Sequence, residues 1–111
     1  MLYYIYLINL DPTIGHEIKK TRPCVIISPD EMNANLGTVI VAPMTSTDRA
    51  IPTRVKIFAS PLNGLANDSY IVLDQIKTVG KRRLAPAPLG KLNDAEASEV
   101  ANILCQMFTK Q

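Results

Sequence analysis

Apolar positions along the chain fall into two periods, one short and strand-like, one helical. Tyr3–Leu10 is a nearly unbroken apolar run that stops at Asp11-Pro12 and reads as a strand, followed by a polar loop over residues 11–21. Pro23–Ser28 reads as a second strand. Ser28-Pro29-Asp30 breaks it and starts a single helical turn over Glu31–Asn35. Thr38–Ala42 is a β-branched run after Gly37, and Pro43–Pro52 has the turn-forming, charged make-up of a loop. Thr53–Phe58 alternates, with Val55 and Ile57 on one face and Arg54 and Lys56 on the other, as a half-exposed strand should. Asn63-Gly64 and Asn67-Asp68 mark another loop. Ser69–Leu73 and Ile76–Val79 read as strands, with Arg83–Ala85 a weaker one. Many short strands separated by turns predict a small barrel or sandwich.

The period changes near the C-terminus. Asn93-Asp94-Ala95-Glu96 has the polar cap and third-position glutamate of a capping box. Val100, Ile103, Leu104, Met107 and Phe108 then recur at helical spacing and predict one apolar, core-packing face. Asp94, Glu96 and Glu99 put negative charge near the positive end of the helix dipole.

Composition narrows the class. With 111 residues, 47% of them hydrophobic, the chain suits one domain over residues 1–111 that builds its own core. No apolar run is long enough to cross a bilayer, and Tyr3–Leu10 lacks the basic flank of a signal peptide, so a soluble, cytoplasmic protein is expected. Cys24 and Cys105 both lie in apolar stretches and are expected to be free thiols in the core. Net charge is only +2, but the cations gather in two clusters: Lys19, Lys20 and Arg22, then Lys77, Lys81, Arg82 and Arg83. Brought together by the fold, they would line a groove for phosphates.

Several chemistries drop out. One histidine and two distant cysteines do not make a familiar zinc site, and the carboxylates lack the paired spacing of two-metal nucleases. There is no Walker or Rossmann glycine loop and no Gly-flanked serine paired with histidine. No metal and no cofactor is expected. Six Tyr and Phe residues and no Trp make any aromatic stacking platform sparse. What remains is a set of polar residues at strand ends: His16, Glu17, Lys19, Lys20 and Arg22 before or at the second strand, Thr45-Ser46 after the third, and Asp74-Gln75 near Lys77. In a small barrel these can converge at one mouth. Each also has an ordinary structural reading, as a surface cation, a turn hydroxyl or a strand-end acceptor.

Leu10-Asp11-Pro12-Thr13, Gly15-His16-Glu17, Thr21-Arg22-Pro23, Val39 to Ser46, Asp68-Ser69, Asp74 to Val79 and Leu89 to Asp94 occur in an order and spacing that resembles the MazF/PemK family of toxins over nearly the whole chain. The resemblance implies an SH3-like small barrel with a C-terminal α-helix and a homodimeric assembly. It further implies cleavage of single-stranded RNA without a metal, and inhibition by a cognate antitoxin with an acidic, flexible segment. By position, Arg22 and Thr45 inherit the catalytic roles. His16, Glu17, Lys19, Lys20, Ser46, Asp74, Gln75 and Lys77 inherit supporting or substrate-binding places. Two departures stand out. One branch of the family has an arginine two positions before the aspartate, where this chain has Val72. Members also usually begin with a basic residue, Gly and an acid, where this chain has Leu2, Tyr3 and Tyr4. Competing readings are a non-catalytic toxin of the same fold that binds DNA gyrase, and an inactive RNA-binding relative.

Overall fold

The computed structural model describes residues 1–110. The strands are β1 (Tyr4–Asn9), β2 (Thr21–Ile26), β3 (Thr38–Thr45), β4 (Arg54–Ile57), β5 (Ser69–Val72), β6 (Lys77–Gly80) and β7 (Gly90–Lys91). A short helix α1 (Asp30–Asn35) sits between β2 and β3, and α2 (Asp94–Phe108) closes the chain. The strands form one antiparallel sheet in the order β4-β5-β3-β2-β1-β7, with β6 paired to β3 beside β5. This strongly bent sheet is a half-open barrel.

Two apolar clusters explain why some strands alternate and others do not. Ile5, Val25, Ala42, Met44, Val55, Ile57, Ile71 and Val100 pack in one cluster, beneath α2. Ile8, Cys24, Ile26, Val39, Val41 and Val79 make the other. β1, β2 and β3 feed both clusters with successive residues and therefore read as continuous apolar runs. Along β4, exposed Lys56 alternates with buried Val55 and Ile57 as its pattern predicts, whereas Arg54 on the same face is largely covered where it meets Asp74.

β3 runs three residues further than its sequence suggests, through Pro43, Met44 and Thr45. Its first half pairs with β6 through Val41↔Lys77, and its end pairs with β5 from Met44↔Ile71 onward. Ile27 N–H donates to Ile40 O at 2.9 Å, so alternate residues of β3 bond toward β2, and Pro43 faces the opposite edge. That edge is the gap between β5 and β6, where a missing N–H removes no ladder bond. The chain turns from β5 to β6 through a 3-10 turn at Leu73–Gln75, which sets Asp74 and Gln75 beside the end of β3.

α2 begins as expected: Asn93 Oδ1 accepts Glu96 N–H at 2.8 Å, and Glu96 Oε1 accepts Asn93 N–H at 2.9 Å. Val100 is buried, with Ile103, Leu104 and Met107 packed against the same cluster. Phe108 departs from the predicted face, being 70% exposed, while Met107 beside it still packs on the core. Cys105 also departs from expectation. It is exposed, whereas Cys24 is buried and both thiols are free. Burial pushes the Cys24 thiol up to about 12, with the nearby Lys77 and Arg22 charges opposing weakly, so it is an inert core group. The weak strand at Arg83–Ala85 is instead a 3-10 turn at Lys81–Arg83 with one bridge from Leu84 to Ile8. Among the described residues, no helix is long and apolar enough to cross a membrane.

Candidate active site

Cys24 opposes Pro43 across β2 and β3. The pairing ends there, and two places further along each strand stand Arg22, near the start of β2, and Thr45, the last residue of β3. The two residues line one cavity of about 190 Å³ together with Ser46, Asn67 and Ser69. Thr45 also borders a larger open cavity of about 420 Å³, lined by His16, Ile18, Thr47, Arg49, Arg54 and Gln75. Thr45 is thus the shared wall between a cavity holding Arg22 and one holding His16.

Each of these side chains is placed by a local contact. Arg22 Nε donates to Lys19 O at 2.9 Å, which orients the guanidinium and leaves its two terminal nitrogens for another acceptor. Thr45 Oγ1 accepts Thr47 N–H at 3.2 Å, so the hydroxyl proton remains free to donate. Gln75 Oε1 accepts Ile18 N–H at 2.9 Å, tying the polar loop to the 3-10 turn and leaving the Gln75 amide hydrogens toward the cavity. Glu17 shapes the loop: its Oε2 accepts Ile14 N–H at 2.7 Å, while it borders a third cavity with Asp74, Gln75 and Lys77. Lys19 and Lys20 are exposed on the rim and line none of these cavities. Lys20 takes a left-handed conformation, φ 73°, that turns the chain into β2.

Asp74 has a different occupation from a free acid–base group. Its Oδ1 accepts Thr53 Oγ1 at 3.0 Å and Arg54 Nε at 3.3 Å, and its Oδ2 accepts Arg54 Nη2 at 3.3 Å. Burial pushes the carboxyl up, but the hydrogen bonds from Arg54 and Thr53 and the Arg54 charge outweigh it and hold the carboxyl below its ordinary 3.8. Asp74 is therefore an ionised partner of Arg54. Because its folded value is depressed, the stabilisation is fully present above about pH 3.8 and lost as pH falls through the lower folded value. Asp74→Asn is expected to destabilise the protein at pH 7, with the gap to the parent closing on acidification below pH 3.8; urea midpoints measured from pH 7 to pH 2.5 check this.

The second basic cluster does not join the first as a whole. Lys77 reaches the site. Lys81 Nζ donates to Asn33 O at the end of α1, and Arg83 Nη1 donates to Asn9 O and Asp11 O, so both hold backbone in place. Arg82 lies with Lys77 and Arg83 around a separate cavity. Arg54, Thr47, Arg49 and Asn67 are site neighbours that the linear pattern does not single out. Arg54 had one legible signal, its place on the outward face of β4. Among the described residues, no group of three or more His, Cys, Asp or Glu side chains is positioned to hold a metal ion.

Comparison with known proteins places the chain as a whole. The model of the PemK-like, MazF-like toxins of type II toxin–antitoxin systems matches residues 3–108. This chain is a PemK/MazF family toxin. It is 41% identical over 102 residues to the endoribonuclease MazF of Staphylococcus saprophyticus, covering 90% of this chain and 83% of that protein. The solved toxin MazF-mt6 of Mycobacterium tuberculosis superposes with a TM-score of 0.80 at 27% identity, over 97% of this chain and 98% of its own. A mycobacterial endoribonuclease solved with its cognate antitoxin shares the fold at a TM-score of 0.79 and 24% identity, over 100% and 97% of the two chains.

Both departures from the MazF/PemK pattern have structural counterparts. Tyr3 stands where the resemblance puts glycine and keeps a left-handed backbone, φ 66°, which glycine adopts freely and other residues at a cost of about 1–2 kcal/mol. Its ring packs against the α2-side cluster, and that burial opposes the backbone cost. Val72 pairs directly with Arg54. A guanidinium thus reaches Asp74 from the neighbouring strand.

Proposed function

We propose that this MazF/PemK protein is a sequence-selective, metal-independent endoribonuclease that cleaves single-stranded RNA in the cytoplasm, with residues 1–111 acting as one toxin domain. The observation that carries this reading is the placement of Arg22 and Thr45 around one cavity at the mouth of the sheet, with the two terminal guanidinium nitrogens of Arg22 and the hydroxyl proton of Thr45 left for substrate. RNA carries its own nucleophile. The 2′-oxygen forms a bond to the adjacent phosphorus as the bond to the 5′-oxygen breaks, giving a 2′,3′-cyclic phosphate and a 5′-hydroxyl end. One proton leaves the 2′-hydroxyl and one arrives on the 5′-oxygen.

In this reading the Arg22 guanidinium neutralises the charge that develops on the phosphorane oxygens, with donors spaced for two of them. The Thr45 hydroxyl donates to a phosphate oxygen or the 2′-oxygen and so fixes the angle of attack. His16, the one imidazole of the chain, stands across the larger cavity as the side chain placed to pass a proton to or from the RNA. Asp74 positions Arg54, while Gln75 and Lys77 supply contacts along the strand of RNA. Ser46 and Glu17 complete the walls. Incubating a long RNA with the purified protein in EDTA and mapping the end groups tests the assignment. Discrete cuts with 2′,3′-cyclic phosphate ends are expected; no cleavage, or cleavage restored only by a divalent ion, overturns it.

The same reading gives the toxin two protein partners. One is a second copy, two-fold pairing being the commonest form of oligomer. The other is an antitoxin whose acidic, flexible segment competes with RNA for the basic mouth, carboxylates standing in for phosphates. RNA binding should itself weaken with salt. For three or four phosphates neutralised by Lys19, Lys20, Arg22 and Lys77, the logarithmic slope is expected near −2 to −3, read from affinities at a series of salt concentrations.

A further inference from the structure

The row of side chains that holds Arg22 and Thr45 continues across two more strands. Thr45 pairs with Tyr70 on β5, and Tyr70 pairs with Lys56 on β4. Directly paired residues share one face of a sheet, so Thr45, Tyr70 and Lys56 project together. The opposite face is accounted for by Met44, Ile71, Val55 and Ile57, all buried in the core. Phe58 lies two residues beyond Lys56 and returns to the outer face. The rings confirm the placement: Lys56 Nζ is 4.9 Å from the Phe58 ring centre and 5.9 Å from that of Tyr70.

Phe58 is 64% exposed, and neither it nor Lys56 lies in either apolar cluster. Lys56 forms no ion pair among the described residues, and Asp68 at the adjoining turn is occupied by Ala59 N–H at 2.8 Å. An exposed Phe58 ring and a half-buried Tyr70 ring with an ammonium between them match an unpaired nucleotide strand, whose bases offer π-faces and whose backbone offers phosphates. With strands about 4.8 Å apart, Lys56 stands roughly 10 Å from Thr45, within reach of nucleotides adjoining the scissile bond.

We propose that Tyr70, Lys56 and Phe58 form a stacking shelf for the bases on one flank of the cleaved bond, with Lys56 also meeting the backbone. The inference rests on the ribonuclease reading of the neighbouring site. Stacking requires bases that are not paired, so the shelf is a device by which this toxin takes single strands over duplexes, tolerant of which base it receives.

The test is binding of an RNA oligonucleotide carrying the mapped cleavage sequence, with a 2′-deoxy sugar at the cut position to prevent turnover. Affinities are compared by fluorescence anisotropy for the parent protein, Phe58→Ala, Phe58→Leu and Phe58→Trp. Phe58→Ala is expected to bind roughly 5- to 150-fold more weakly, with Trp restoring binding and Leu failing to. On cleavable RNA the same loss is expected in KM, with kcat little changed. Parent-like binding by Phe58→Ala, or equal rescue by Leu and Trp, overturns the shelf while leaving the ribonuclease reading intact. A parent protein that neither binds nor cuts RNA overturns both. Loss of binding together with a change in native mass by light scattering also overturns the shelf, because the face is then an interface between copies.

Discussion

Arg22→Ala is expected to lower RNA cleavage by about two to three orders of magnitude, the usual loss when one preorganised charge stabiliser is removed from a transition state. The fold should survive. Arg22 is half-buried at the entrance of β2, and the bond its side chain makes within the protein, from Nε to Lys19 O, is of a kind worth only about 0.5–1.5 kcal/mol. Lys at the same place should rescue poorly, since a single ammonium cannot meet two phosphorane oxygens at once while keeping the Lys19 contact. Thr45→Ala should impair turnover more than RNA binding, because the hydroxyl acts on the angle of attack and the neighbouring cations carry the backbone attraction. Single-turnover rates at saturating protein, with circular dichroism of each variant, decide the matter. Parent-like cleavage by Arg22→Ala would move the chemistry across Thr45 to the cavity of His16 and Arg54.

The largest effect on stability is expected far from that site, at Gly64. The turn before it is built around buried Asn63, whose Oδ1 accepts Ser60 N–H and Leu65 N–H, both at 3.0 Å, and whose Nδ2 donates to Phe58 O at 2.8 Å. Gly64 follows with φ 68°, and a Cβ there would lie 2.1 Å from Leu89 O and 2.8 Å from Leu89 C. Those are backbone atoms held in turn, since Leu89 N–H donates to Ile5 O at 2.7 Å and Lys91 N–H to Leu62 O at 3.1 Å. Neither side can yield without loosening β7 from β1. The left-handed backbone costs about 1–2 kcal/mol for an L-residue, and overpacking adds typically 1–3. Gly64→Ala should therefore melt roughly 8–40 °C below the parent, at about 4–8 °C per kcal/mol for a domain near this size. Gly37→Ala is the control: nothing lies within 4 Å of its Cβ position, and its melting temperature should stay near the parent's or rise slightly. Scanning calorimetry of the three proteins makes the comparison.

Much of this architecture is legible in one dimension because the signals are periodic or local. Alternation of Val55 and Ile57 with Arg54 and Lys56 assigned β4 its faces, and the capping box placed the start of α2 to the residue. The strand-end positions of the Arg22-Pro23, Thr45-Ser46 and Asp74-Gln75 segments carried the expectation of a shared mouth, and their order carried the family. Periodicity, however, reports only which face a residue shares with its neighbours in the chain. It is silent on which strand lies alongside. That Pro43 belongs inside β3, that Thr45 shares a cavity with Arg22 and pairs with Tyr70, and that Arg54 engages Asp74 all depend on how strands distant in sequence lie together. Those registers follow from burying two apolar clusters at once, a condition no single segment expresses. The same limit separates the cations: Lys81 and Arg83 look in sequence like part of a phosphate groove, yet the fold engages them with backbone carbonyls. It also gathers Tyr70 and Phe58, two of only six Tyr and Phe residues, onto one face beside Lys56. Residue types and their local spacing determined the elements and the candidate chemistry. The cross-strand register, decided by non-local burial, determined which of those residues meet.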